Sequence, residues 1–218
     1  MNKKGFIFDL DGVIVDTAKY HFLAWRKLAE GVGISFSEDQ NEQLKGVSRV
    51  RSLEKILAWG KVEISQDHFM ELMARKNDDY LTYISNMNED EILQDVPRIL
   101  RFLQLKEQPI SLGSASKNAR AILKEVGLLH VFEVIVDGTN VSKAKPNPEV
   151  FLKAAEQMKM EPERCIVFED AVAGIEAANT AGMLSIGIGR AEILHKADYV
   201  FKDFTEISDT FLTQIINA

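Results

Sequence analysis

The chain has 218 residues, with 26 Lys+Arg against 33 Asp+Glu and a formal net charge of −7 at pH 7. That length fits one ordinary domain plus an insertion, and the acidic balance argues against a polyanion-binding surface, so any phosphate-binding charge must be local. The single Cys165 excludes an intrachain disulfide, and neither a signal-peptide pattern nor a bilayer-length apolar run is present, so the expectation is a cytoplasmic protein with no nucleic-acid or membrane partner.

The run Phe6-Ile7-Phe8 predicts a strand covered on both faces. It ends in Asp9 and Asp11, two apart and therefore pointing the same way in extended chain, followed by Gly12, which permits a tight turn. A solvated strand end is one reading. Two like charges at the mouth of a buried strand favour the other, a site that takes a cation or substrate. A helix follows over about 18–30, with Thr17, His21 and Trp25 at i, i+4, i+8 on one face. Ser37-Glu38-Asp39-Gln40 predicts a capping box, a third helix carries Leu53, Ile56 and Leu57, and a fourth spans about 66–84. No strand-like run interrupts residues 16–92, which predicts a helical insertion between core segments 1–15 and 93–218.

Asn88 to Glu91 reads as another helix start or as the return hinge, and 96–105 as an amphipathic helix. Pro109 to Ser114 predicts a short strand ending in small polar residues, with Ser116 capping a helix that closes at Gly127. Strands are expected at 134–136, 165–168, 185–188 and, at an edge, 199–201, with helices from Glu149 and over 171–181. The sequence after about Arg190 is otherwise too weakly marked to assign. Alternating strands and helices predict a Rossmann-like parallel sheet, whose ligands bind at the carboxyl ends of the strands.

The polar clusters all fall at such ends. Glu169-Asp170 closes one strand and opens a helix; an acidic helix start would suffice to explain it, but carboxylates converging with Asp9 make an all-oxygen site suited to Mg2+. Ser114 could be a turn residue and Lys145 a solvated lysine. Ser116-Lys117-Asn118 at a helix start can bind an anion. His21 alone reads as a packed histidine, and Lys45 to Arg49 as a charged interhelix loop.

Asp9-Leu10-Asp11-Gly12-Val13-Ile14-Val15-Asp16-Thr17 resembles the D-x-D-G-x-x-x-D-T signature of the haloacid dehalogenase superfamily, whose members mostly transfer phosphoryl groups through an aspartyl phosphate. Lys145-Pro146-Asn147-Pro148 and Val167-Phe168-Glu169-Asp170 resemble its third and fourth motifs, the latter running on to Gly174, which would allow close helix packing, and Ser114 its second. Tyr20 to Trp25 and Asn41 to Arg49 resemble the β-phosphoglucomutases within that superfamily. The resemblance implies a four-helix cap and a conversion of β-D-glucose 1-phosphate to glucose 6-phosphate through β-glucose 1,6-bisphosphate. It further implies Asp9 as nucleophile, Asp11 as acid/base, and Mg2+ among Asp9, Asp11 (through its carbonyl), Glu169 and Asp170. Ser114 and Ala115 would hold the transferring phosphate, Lys145 would offset charge, and Ser116, Lys117 and Asn118 would meet a distal phosphate. From the cap, Lys45, Gly46, Val47 and Ser48 would contact sugar, Arg49 would grip phosphate, His21 would orient or couple to Asp11 and help cap closure, Thr17 would sit at the hinge, and Trp25 and Lys76 would border the ligand. Its partners would be small sugar phosphates, with the chain a monomer. A sugar-phosphate phosphatase using the same aspartates is the alternative, and a silent sensor is a third that nothing supports. The family usually has a Pro-Gly turn where this chain has Gln94-Asp95, a departure that bears on hinge stiffness.

Overall fold

A computed structural model describes residues 3–44 and 47–218. Six parallel strands form one sheet in the order β3-β2-β1-β4-β5-β6: β1 Gly5–Phe8, β2 Ile110–Gly113, β3 Val134–Val136, β4 Cys165–Glu169, β5 Leu184–Ile188 and β6 Tyr199–Phe201. The expected Rossmann-like α/β core is thus present. β1 lies between β2 and β4, with Phe8 in register with Leu112 on one side and Phe168 on the other. That central position explains its unbroken apolar run. Phe8 stacks on Phe168 with ring centroids 4.6 Å apart. Ile7, alternating to the other face, joins Val136, Phe151 and Val167 in a second apolar cluster.

Between β1 and β2 lie the helices of the cap, α1 Ala18–Gly31, α2 Glu38–Glu42, α3 Arg49–Gly60 and α4 Gln66–Ile84, then α5 Val96–Leu105 of the core. The cap has its own apolar cluster, which includes Trp25, Leu28, Leu53, Ile56 and Leu72. The capping box at Ser37 and Gln40 forms as the sequence predicts. Tyr80, Ile84 and Met87 instead join the main core cluster, so the end of α4 is rooted in the sheet domain. The two connections between cap and core run side by side. Val15 pairs with Ile92 in an antiparallel bridge, Asp16 N donates to Glu91 O at 3.1 Å, and Leu93 N donates to Ile14 O at 3.0 Å. Glu91 also accepts from the Tyr20 hydroxyl at 2.7 Å and ends a 3-10 turn, Glu89–Glu91, rather than opening a helix.

Asp95, where a glycine was expected of the family, has φ of 65°. Glycine adopts that conformation without strain; Asp95 does so with its carboxylate accepting from Arg98 Nε at 3.0 Å. Arg98 also donates to Asp209 Oδ1 at 2.6 Å and Ile207 O at 2.7 Å, fastening the return from the cap to the end of the chain. The remaining helices are α6 Ala119–Glu125, α7 Glu149–Gln157, α8 Val172–Thr180 and α9 Asp209–Asn217. The sequence left α9 unassigned. Ser208 caps it by accepting from Phe211 N, and Leu212, Ile215 and Ile216 bury its inner face. Ser116 does not cap α6 as expected: Asn118 occupies the N-cap position, and the Ser116 hydroxyl accepts from Asn118 N at 3.2 Å in the turn before it.

Candidate active site

Asp9 immediately follows β1, its backbone N–H tied to Phe168 O at 3.0 Å, so it emerges between the ends of β1 and β4. The chain then folds on itself: Gly12 N donates to Val15 O at 2.8 Å, with Gly12 at φ 78°. A Cβ added to Gly12 would lie 2.1 Å from Asp170 Oδ2. Gly12 is therefore required both by the turn and by the approach of Asp170.

Lys145 closes the base of the site. Its Nζ donates to Asp9 Oδ1 and to Glu169 Oε2, each at 2.7 Å, and all three side chains are buried. Burial would lower the pKa of Lys145, but Asp9 and Glu169 overcome it and raise it. Burial raises the pKa of Glu169, with Asp9 adding to the effect against the attraction of Lys145. The loop that carries Lys145 is fastened by Glu149, which accepts from Ser142 N at 3.1 Å and Lys143 N at 2.8 Å.

Glu169 Oε1 accepts from Ala171 N at 3.1 Å. Gly174, expected to allow close helix packing, makes room for Glu169 itself: a Cβ there would lie 2.0 Å from Glu169 Cδ. Gly174→Ala must therefore displace the carboxylate. The expected result is a loss of about 1–3 kcal/mol of stability, measured by denaturant unfolding, accompanied by reduced turnover.

Carboxylate oxygens of Asp9, Glu169 and Asp170 lie within 4.8 Å of one another. Three carboxylates against one ammonium, all oxygen donors, fit a hard divalent cation. The Asp11 carboxylate stands apart from this group; its Oδ1 accepts from the Thr17 hydroxyl. Burial first, then the charge of Asp9, pushes the pKa of Asp11 up to about 6, with Thr17 and Lys145 opposing. A carboxyl with that pKa can give or take a proton near neutrality. Because Thr17 is the N-cap of α1, the orientation of Asp11 is tied to the start of the first cap helix.

On the cap side, Lys76 is 2% exposed and boxed by aromatic rings, its Nζ 4.6 Å from the Trp25 centroid and 4.5 Å from that of Tyr80. It lies 3.0 Å from His21 Nδ1. Burial, then Lys76 and Arg49, hold His21 well below its ordinary pKa, so its imidazole is neutral and can accept from Lys76. Burial and then Arg49 bring Lys76 itself down to about 7. The partner of His21 is thus Lys76, and the direct hydrogen bond to Asp11 comes from Thr17.

A cavity of about 540 Å³ separates the two sides. It is lined from the core by Asp9, Asp11, Ser114, Ala115, Ser116, Lys117, Asn118, Lys145 and Asp170, and from the cap by Thr17, His21, Trp25, Val47, Ser48, Arg49 and Lys76. Glu169 lies behind the wall, fully buried. Lys45 and Gly46 lie outside the described residues. Ser48 also acts as the N-cap of α3, accepting from Arg51 N at 3.4 Å. Ser114 is buried and accepts from Ser116 N at 3.0 Å, which shapes the loop beside Asp9. Several residues of the site escaped the sequence reading, among them Ser52, which lines the cavity, and Tyr80, whose ring packs against Lys76. Ser52 lies one helical turn beyond Arg49, and Tyr80 lies one turn beyond Lys76. The i+3 and i+4 spacings are the signal that could have found them.

A profile described as a haloacid dehalogenase-like hydrolase matches residues 3–182. The chain is 43% identical over 207 residues to a β-phosphoglucomutase of Bacillus subtilis, covering 94% of this chain and 92% of that protein. It is 31% identical over 182 residues to a phosphorylated carbohydrates phosphatase of Thermotoga maritima, covering 81% of each. A crystal structure of a β-phosphoglucomutase from Clostridium difficile superposes with a TM-score of 0.94 at 39% identity, covering 99% of this chain and 97% of that one.

Proposed function

The chain belongs to the haloacid dehalogenase-like hydrolase family, and from that premise we infer that it acts as a β-phosphoglucomutase. It interconverts β-D-glucose 1-phosphate and glucose 6-phosphate through an aspartyl-phosphate enzyme and β-glucose 1,6-bisphosphate. The observation that carries this reading beyond hydrolysis is the two-sided cavity. Arg49 and Lys76 approach from the cap, while Ser116, Lys117 and Asn118 approach from the core. A bisphosphate needs one anion site at Asp9 and a second elsewhere; a phosphatase acting on one phosphate needs only the first. The division follows the same logic, with residues 1–15 and 93–218 as the core that performs transfer and 16–92 as the cap that covers it.

With Oδ1 of Asp9 held by Lys145, Oδ2 is the oxygen left to attack phosphorus. The hydroxyl of Ser114, which the Ser116 amide holds in place, and the amide of Ala115 hold the phosphoryl oxygens, and Lys145 offsets the charge that gathers at the base of the site. Asp11 takes the proton from the C6 hydroxyl as the phosphoryl group passes from Asp9 to the sugar. It returns a proton to the C1 oxygen when the other phosphate moves to Asp9, so one group serves both half-reactions. Between them the bisphosphate reorients, and the phosphate that is not reacting rests on Arg49 or on Ser116, Lys117 and Asn118. The cap helices and Trp25 exclude water, the competing acceptor.

Asp9, Glu169, Asp170 and the backbone carbonyl of Asp11 would hold Mg2+, which supplies charge neutralisation for a phosphoryl group in transit. His21, Lys45, Gly46, Val47 and Ser48 complete the sugar side of the reading. The single buried Cys165 is in keeping with a reducing, cytoplasmic setting, and no helix among the described residues is long and apolar enough to cross a membrane.

A coupled glucose 6-phosphate dehydrogenase assay tests the metal. Glucose 6-phosphate formation from β-glucose 1-phosphate, primed with glucose 1,6-bisphosphate, should vanish with excess EDTA and return with Mg2+. Undiminished turnover after exhaustive chelation would remove Mg2+ from the account.

A further inference from the structure

Asn118 is the N-cap residue of α6, a position where asparagine is favoured because its side chain accepts from the helix's first N–H groups. Here it makes no such bond. Its Nδ2 instead crosses the cleft and donates to Asn77 Oδ1 of the cap at 3.0 Å. Asn77 follows directly on Lys76 and stands three residues before Tyr80, which is rooted in the main core cluster. One turn of α4 thus carries the cavity lysine, a bond to the core and an anchor to it. An amide nitrogen has two N–H groups. Donating one to Asn77 leaves the second for an anion bound at the start of α6.

We propose that Asn77 is a positioning residue that couples anion occupancy at Asn118 to closure of the cap, and so directs the phosphoryl group to sugar rather than water. An anion oxygen that engages one N–H fixes the Asn118 side chain in the orientation in which the other meets Asn77. Anion binding and cap closure then favour each other through one shared side chain, and the linkage is reciprocal. Both effects rest on the anion site that the proposed function places at Ser116, Lys117 and Asn118; the effect on acceptor choice rests in addition on sugar being the acceptor.

Two measurements separate these. In an Asp9→Asn background, where neither sugar nor water receives a phosphoryl group from Asp9, closure is followed by small-angle X-ray scattering during titration with glucose 6-phosphate. Adding Asn77→Ala, a favourable helix substitution at a half-buried site, should raise the concentration needed for closure about 3–10-fold. Asn77→Asp, which retains an acceptor for Asn118, should resemble Asn77 in scattering without ligand. With Asp9 intact, Asn77→Ala should raise the ratio of free phosphate to glucose 6-phosphate by a similar factor. An unchanged closure titration in Asn77→Ala would overturn the proposal whichever reaction the unmodified enzyme performs. A shifted titration with an unchanged product ratio would overturn its second half.

Discussion

Asp9→Asn is expected to abolish phosphoryl transfer, lowering turnover on the order of 10⁴-fold or more, because the amide cannot form the aspartyl phosphate. The substitution is close to isosteric. Its carbonyl oxygen can still accept from Lys145 in place of Asp9 Oδ1, and Lys145 keeps its second bond to Glu169. The backbone N–H that pairs with Phe168 is untouched. The variant should therefore fold, show an ordinary cooperative melt, and bind sugar phosphate without reacting. Mass spectrometry of acid-quenched enzyme after exposure to glucose 1,6-bisphosphate should find a phosphorylated species for Asp9 and none for the asparagine variant. Residual activity above about 1%, well over what loss of a nucleophile leaves, would sink the covalent route.

Lys145→Ala is expected to damage both activity and stability. The lysine is the buried cation between two buried carboxylates, and removing one partner of such a group costs about 3–5 kcal/mol because the others are left uncompensated. Its pH dependence has a definite sign. Burial, then Asp9, already raise Glu169 above its ordinary value, and Lys145 is the main influence lowering it. Without the lysine, the folded-state pKa of Glu169 rises further above the unfolded value. A raised carboxylate pKa means that folding binds protons, so stability falls as pH rises through the folded value. In chelator, Lys145→Ala should be closest to the parent near pH 5 and lose ground steadily towards pH 8. Urea unfolding across that range provides the check, and a deficit that is flat or shrinks with pH would contradict the electrostatic explanation.

The parts of this architecture that were legible in the sequence are those governed by local pattern. Phe6 to Phe8 read as a buried strand because the central position of β1 leaves both faces covered. The capping box at Ser37 and the helix 66–84 formed as their periodicity implied. Long-range pairings were not legible in detail. The bond from Lys145 to Asp9 joins residues 136 apart in sequence, and Asn118 meets Asn77 at a separation of 41. The sequence could nominate Lys145 from its Pro-rich context but could not supply its two partners.

Ser116 was expected to cap α6 because serine favours that position, yet the cap is Asn118, whose side chain is drawn to the other domain. Tertiary contact overrode local preference there. The end of the chain was missed for a different reason. Its signal, Ser208 followed by Leu212, Ile215 and Ile216, is short, and its helix is secured by Arg98 contacts that no local pattern reveals. Gly174 was read as a packing residue, but the atom it accommodates is the Glu169 carboxyl carbon. Function at that glycine is visible only once strand and helix are folded against each other.

The central claim is that sugar, rather than water, receives the phosphoryl group from Asp9. It is tested most directly by phosphorus NMR of the unmodified enzyme with β-glucose 1-phosphate, Mg2+ and a trace of glucose 1,6-bisphosphate. The account predicts that glucose 6-phosphate grows as the 1-phosphate resonance declines, with little inorganic phosphate. Inorganic phosphate accumulating in step with substrate loss would contradict it and identify the chain as a sugar-phosphate phosphatase.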